Sequence, residues 1–482
     1  MRLPALGRLR GALATAPRRG LALAFVVASA CGTSSPRLTT MTHDDHPITA
    51  PSPLAADAVA GVVDAELATL LADHWEWTMR TSPTFATGLG DHRFDAELAS
   101  VGQAAIAANR LALREFRDRA RPIRERALSE ADAVTVALFL EDLDAAIAQE
   151  VCEDEQWAIS ATSNPIATFN YLAQLHIVTT PAEGGNLVAR FRAVPRVIDE
   201  QIANLRAGLA AGRVASREIA VRTLAMVDAQ LVEPLERWSV LTPLSAAARA
   251  RHGGWSDAEE QAFATALRAA ADGVAAAYRD FRAVLVAEIL PAAREVEGLT
   301  GLPDGAACYR AAIRQHTALD LDPDAVHATG VAEIERINGE MQALGKKLFG
   351  TDELAAILHT LRTDPSLYYK TADEIVAAAT AALAKARAAI PTWFGLLPEA
   401  ECVVTVVPDY EAPFTSIAYY RQPHYDGTKP GEFFINTYQP EVRPRFEMEA
   451  LAFHEAIPGH HLQIAIAQEL GAQPAFRKFG GS

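Results

Sequence analysis

The residues most able to do chemistry lie in Ala450–Gln463, ALAFHEAIPGHHLQ, which gathers three of the chain's thirteen histidines. His454-Glu455 opens like the HExxH pattern of zinc peptidases. The pattern then changes: Pro458 stands where the second histidine belongs, and the next histidines are His460 and His461. In a regular helix those two positions would rise about 9 and 10.5 Å above His454. Zinc needs its nitrogens at about 2.0–2.1 Å, so an unbroken helix holds them too far apart. Pro458 cannot donate to the carbonyl of His454, and its ring clashes there. Gly459 then admits nearly any backbone angle. The expectation is a break at 457–459 that returns His460 to the level of His454. His454 and His460 would then hold one zinc ion, with His461 a further candidate ligand. Glu455 would be the general base toward a metal-activated water. The competing reading is a histidine cluster that caps a broken helix and binds no metal.

A second set of residues lies just upstream. Tyr419, Tyr420, His424 and Asn436 are candidates to touch substrate or stabilise an oxyanion. The alternative for this group is a packed β-turn. Glu432–Thr437 is a candidate edge strand able to pair with a peptide substrate. His74, His92 and His327 read as ordinary helix or turn histidines, and Trp75, Trp77 and Phe85 as core.

The elements that must position these residues are mostly helical. After Asp322-Pro323, a cap followed by proline at the first helical position, the apolar residues Val326, Ile334, Ile337, Met341, Leu344 and Leu348 recur at three and four. That spacing predicts one stripe facing a core. Ser256 and Glu259 make a capping box ahead of Phe263, Leu267, Val274, Tyr278 and Phe281. Thr371 and Glu374 make another. Helical patterns also fill roughly 57–80, 102–120, 129–150, 185–232 and 443–457. Residues 402–438 differ. Val403–Val407, Ser416–Tyr420 and Glu432–Thr437 are β-branched or aromatic runs between Pro, Gly and Asp, and predict a sheet of two or three strands. The fold class is therefore mainly α: a large helical body with a small sheet beside the histidine helix. The organisation reads as a helical scaffold over 57–298 and a catalytic-type half over 299–482.

The first 30 residues stand apart. Arg2, Arg8, Arg10, Arg18 and Arg19 precede the apolar run Leu21–Ala30, which is too short to span a bilayer. This is the pattern of a secretory signal. Ala28-Ser29-Ala30-Cys31 resembles a bacterial lipobox, so Cys31 is the expected lipidation site and first mature residue. Residues 31–56 are expected to form a flexible tether to the membrane. The protein is therefore expected in the cell envelope, exported and lipid-anchored. From Cys31 onward the net charge is −21. A body that acidic repels phosphate backbones, so nucleic acid is not an expected partner. Four cysteines exclude a disulfide scaffold. Of Cys152, Cys308 and Cys402, at most one pair can bridge, and buried free thiols are the favoured reading.

His454–Gln463, HEAIPGHHLQ, closely resembles the signature of a bacterial family, domain-of-unknown-function family 885. Other segments extend the resemblance from about residue 57 to the end. They are Pro83–Asp91 (PTFATGLGD), Phe191–Pro195 leading into Asn204–Gly208, Leu302–Gly305 with Tyr309, Val326-His327 with Gly330 and Glu333, and Pro430–Thr437 (PGEFFINT). The resemblance implies a helical zinc metallopeptidase, similar in architecture to thimet oligopeptidase, angiotensin-converting enzyme and the Taq-type carboxypeptidases. It also implies a third ligand, usually a glutamate, in an EGWALY-type motif some 25 or more residues past the histidines. This chain runs only 21 residues beyond His461, and the one acid there, Glu469, is expected to point away. Either the segment carrying the third ligand is missing or that ligand comes from elsewhere in the chain; with two histidines alone, weak zinc binding and poor turnover are expected. The functional expectation is an exported zinc peptidase acting on peptides. The alternative is a non-catalytic binding or structural lipoprotein on the same scaffold.

Overall fold

Most helices begin where the sequence supplies a side-chain cap. Asp64, Ser129, Asn164, Thr180, Ser256, Asp322 and Thr371 each accept a backbone N–H from the first turn, which satisfies donors that have no partner within the helix. The computed structural model describes residues 52–160, 163–409 and 411–480. The basic leader, Cys31 and tether residues 31–51 lie outside the described residues.

Counting helices of eight residues or more, the order is α1 (Ala65–Thr81), α2 (Gln103–Arg124), α3 (Glu130–Gln149), α4 (Pro165–Leu175), α5 (Pro181–Ala210), α6 (Arg217–Val232), α7 (Asp257–Val284), α8 (Gly305–Thr317), α9 (Pro323–Phe349), α10 (Leu354–Thr363) and α11 (Ala372–Ala389). The strands β1 (Cys402–Val406), β2 (Ala418–Arg421) and β3 (Gly431–Ile435) follow, then α12 (Met448–Glu455) and α13 (His460–Glu469). The fold is mainly α with one small sheet. The described residues from 52 onward belong to one unit, Ala50–Ser482.

The largest core lies between α5 and α7. Leu187, Phe191 and Ile198 meet Leu267, Tyr278 and Phe281, all at 1% exposure or less. Fully burying such side chains contributes about 1.5–3 kcal/mol each. The Ser256–Glu259 capping box forms in full. At Thr371 only half of one forms, because the Glu374 carboxylate accepts from Lys370 N instead of the cap amide. Arg190 on α5 is wholly buried. It donates to the carbonyls of Pro83, Phe94 and Glu97 and to the Thr87 hydroxyl. One guanidinium thus fixes the segment that carries the PTFATGLGD motif.

The second core surrounds the sheet. Phe433 and Ile435 of β3 face Ile375, Ala379 and Leu383 of α11 and Met448 and Ala452 of α12. Strand order is β1-β3-β2, with β1 parallel and β2 antiparallel to β3. This corrects the expectation for Glu432–Thr437. β3 is paired on both sides, with Phe433, Phe434 and Ile435 each at 2% exposure or less, so it is the centre of the sheet. The open edges belong to β1 and β2.

Two further expectations are overturned. The α9 stripe does not face a core; Ile334, Leu344 and Leu348 are 60%, 55% and 67% exposed. Periodicity marks an apolar face, but nothing among the described residues packs over this one. Cys152 and Cys308 are not free thiols. They form a disulfide between the end of α3 and α8, across 156 residues of sequence. α3 and α8 lie against each other, which brings the two sulfurs within reach. Cys402 stays buried and free, and burial pushes its thiol up to about 11.

Candidate functional site

α12 ends at Glu455 and α13 begins at His460. Between them the backbone leaves helical geometry, with Ala456 at φ −109° and ψ −96° and Gly459 at φ −79° and ψ −130°. The Ile457-Pro458 bond is cis. The turn is tight enough that a Cβ on Gly459 would lie 1.8 Å from the His454 carbonyl oxygen. Only glycine lets the chain fold back this closely onto the end of α12.

The fold-back brings His454 and His460 together across six positions of sequence. Their ring centroids lie 4.8 Å apart and nearly perpendicular, at 86°. One ligand atom from each of His454, Glu455 and His460 falls within 4.8 Å of the other two. The Glu455 carboxylate is 3.9 Å from His460 Nε2. That is beyond a hydrogen bond. Glu455 is mostly covered, at 12% side-chain exposure, while His460 is 43% exposed and His454 is open to solvent. The group is thus reachable from outside with its carboxylate half sheltered. Tetrahedral zinc sets its ligand atoms roughly 3.3 Å apart. The imidazole nitrogens and carboxylate oxygen are donor types that zinc takes, gathered within 4.8 Å of one another. Among the described residues no further His, Cys, Asp or Glu joins it.

The structure does not bring His461 into this group. His461 is 1% exposed, Tyr420 Oη lies 2.9 Å from its Nδ1, and its Nε2 lies 3.0 Å from the Ala400 carbonyl. Both ring nitrogens are committed on the sheet side of α13, and burial lowers its pKa. Glu469 also turns away. Its carboxylate accepts the N–H groups of Glu399 and Ala400, which pins the strand entry that His461 contacts. Tyr420 lies between the two histidines, with its ring stacked at 6.3 Å from His460 and edge-on at 5.7 Å from His461. Burial raises its hydroxyl well above the usual tyrosine value, so it stays protonated. It is the candidate from the upstream set that reaches the histidine pair.

The other candidates sit elsewhere. Tyr419 points to the opposite face of the sheet, stacked on Phe434 at 4.7 Å. His424 lies in the β2–β3 loop with Nδ1 3.1 Å from the Thr428 hydroxyl, and burial lowers its pKa. Asn436 is fully buried. It donates to the carbonyls of Ala412 and Ser416 and accepts from Tyr438 N, so its amide is spent on holding the chain on either side of the sheet. Sequence reasoning missed Gly431. A Cβ there would lie 2.6 Å from His461 Nδ1 and 2.7 Å from Tyr420 Oη. The glycine of PGEFF makes the space in which that hydrogen bond forms, and its place at the start of a strand was the available signal.

Residues 83–482 match the model of a family described as "Bacterial protein of unknown function (DUF885)". The chain belongs to this family. The matched span includes the Arg190-bound motif and the whole histidine site. A search of curated proteins finds no match. Two solved structures share the fold. The "putative lipoprotein from Colwellia psychrerythraea" has a TM-score of 0.76 at 18% identity, over 87% of this chain and 75% of its own. A "putative lipoprotein of unknown function from Shewanella oneidensis" has a TM-score of 0.57 at 16% identity, with the same coverage. At these identities the likeness speaks to fold.

Proposed function

We propose that this protein is an exported, lipid-anchored zinc peptidase. One observation carries the reading: His454, Glu455 and His460 converge on one point at the surface, although the histidines are six residues apart. His454 and His460 would hold the metal. Zinc in that place supplies Lewis acidity toward a substrate carbonyl and an attacking water. Glu455 is placed to take the proton from that water and to pass it to the departing amine. Tyr420 stands beside His460, its ring stacked at 6.3 Å, while its hydroxyl proton goes to His461 Nδ1. The Tyr420–His461–Ala400 chain keeps the start of α13 in place, so His460 is presented at a fixed height. Export and lipidation are supported by the Ala28–Cys31 sequence and by the description of the two structural neighbours as lipoproteins.

A second reading is a non-catalytic binding or structural lipoprotein. It is favoured by the group's having two histidines where a catalytic zinc site usually has three protein ligands. Zinc content by mass spectrometry and cleavage of a mixed peptide library, measured together, decide between them. Glu455→Gln is expected to keep the metal and lose at least about 100-fold in turnover, the usual contribution of a general base. His454→Ala should lose both. Near-full activity in Glu455→Gln would overturn the mechanism. A chain that holds no zinc and cleaves nothing would favour the second reading.

A further inference from the structure

The turn between β2 and β3 rests on the scaffold segment Gly90–Asp95. A Cβ on Gly90, itself at φ +84°, would lie 3.1 Å from Asp426 Cβ. His92 stands at this junction between two carboxylates. Its Nδ1 is 2.8 Å from Asp95 Oδ2, and its Nε2 is 3.9 Å from Asp426 Oδ2. Asp95 is 2% exposed. It accepts the Thr87 hydroxyl at 2.6 Å and lies 3.5 Å from the Arg190 guanidinium. Against burial, the hydrogen bonds from His92 and Thr87 hold its carboxyl below the usual range, so it stays ionised and has no proton to give. Asp426 spends Oδ1 on the Thr428 N–H and hydroxyl, which leaves Oδ2 for the imidazole.

This arrangement fixes where the proton of a neutral His92 sits. Nδ1 must carry it, to donate to Asp95. Nε2 then presents a lone pair to Asp426, and two electron-rich atoms face each other. A second proton reverses that contact, because Nε2–H now meets a carboxylate and one cation lies between two anions. The neighbouring groups leave the switching to His92. Glu183 of α5 adds to the pull of the two aspartates. Burial pushes His176 and His424 down, so both are neutral near pH 7. Arg190, lowered by burial only to about 10, is a constant charge beside Asp95. Arg93 is held by Asp91 and Glu76. In the turn's other tie, Tyr425 Oη donates to Asp57 at 2.9 Å, and burial pushes that hydroxyl up to about 12, so it keeps its proton.

We propose that His92 is a proton-operated clasp between the helical scaffold and the β2–β3 turn, closed when the imidazole is charged and slackened when it is neutral. The hydrogen bond to Asp95 outweighs burial and, with the charges of both aspartates, holds the His92 pKa above its ordinary value. The extra hold is therefore present in full below about pH 6.5 and is lost as pH rises through the raised value of the folded protein. β2 carries Tyr420 beside His460, so the clasp acts on the strand next to the histidine site. It stands whether or not that site holds zinc.

The test is hydrogen–deuterium exchange of residues 422–430 in the full chain, read as protection factors at about pH 6 and about pH 8.5. Protection in the unsubstituted chain should be about two- to fivefold higher at the lower pH, the span of a partly exposed ion pair. H92Q should remove this difference. D426N should remove it too, although its amide oxygen can still accept from Thr428 and keep the turn capped. Protection in α7 should match across the three proteins at each pH, which shows that the fold is intact. Equal protection at both pH values in the unsubstituted chain, or a difference that persists in H92Q, would overturn the proposal. A difference lost in H92Q but kept in D426N would overturn Asp426 as the far side of the clasp.

Discussion

α7 and α9 are nearly the same length, and both start at a side-chain cap. Each carries a regular apolar stripe. α7 buries Phe263, Leu267, Val274, Tyr278 and Phe281 against α5, whereas α9 buries one glycine. The difference lies in the surroundings. α7 has the 30-residue α5 along its length, while α9 touches α10 and the end of α8 and little else. A regular apolar stripe therefore does not by itself state that a helix lies on a core.

The largest expected effect sets these two helices directly against each other. Phe281→Ala, at 0% exposure, should destabilise the fold by about 3–5 kcal/mol in urea titration. Ile334→Ala, at 60% exposure, should stay within about 0.5 kcal/mol for the isolated chain. Similar losses for both at concentrations where the chain is monomeric would erase the contrast. Next in size is Gly459→Ala. Its Cβ has no room beside the His454 carbonyl, so the fold-back must open. A loss of at least about 2 kcal/mol is expected, together with loss of zinc retained on dialysis. Retention of both would mean that the break tolerates a side chain.

A smaller effect comes from buried histidines as pH falls. Burial pushes His74 and His176, both in the first half of the chain, down to about 4. Unfolded chains take up these protons near pH 6.5. Between pH 6.5 and about 4 the unfolded state therefore binds more protons, and stability falls as pH drops through that window. By pH 5 the loss should be about 1–2 kcal/mol per histidine. The apolar ring of His74→Phe should remove its share, read as a shallower fall in melting temperature from pH 7 to 5. An equally steep fall in that variant would place the acid sensitivity elsewhere. The smallest expected effect is Tyr420→Phe, about 1 kcal/mol for one lost hydrogen bond to His461. If His460 holds zinc as proposed, zinc content should be unchanged, because Tyr420 bonds to the neighbouring His461.

What the sequence disclosed and what it hid follow from range. Caps, helix periods and the Pro458-Gly459 break are encoded within a few residues. The helix starts at Ser256 and Asp322 and the interruption before His460 could thus be read directly. Strand order depends on pairing between distant segments, so the central place of β3 is carried only by its near-continuous apolar run, Phe433–Ile435, the mark of a strand covered on both faces. An asparagine such as Asn436 gives no local sign of whether its amide serves a substrate or the fold. Only the structure shows three hydrogen bonds already using it. His461 was ambiguous because adjacent histidines on a helix point about 100° apart, and the choice between them depended on where the helix restarted.

The Cys152–Cys308 bridge has a bearing on how this protein would come apart. It joins the first helices to α8, which opens the segment carrying α9, the sheet and the histidine site. A protease that cuts once in the chain between the two cysteines leaves both pieces covalently attached. Such a nicked molecule would run as one band on a denaturing gel until reductant is added, and then as two. A cut in an exposed turn such as Arg251–Gly254 would then leave the histidine-bearing piece tied to the piece that carries the first helices.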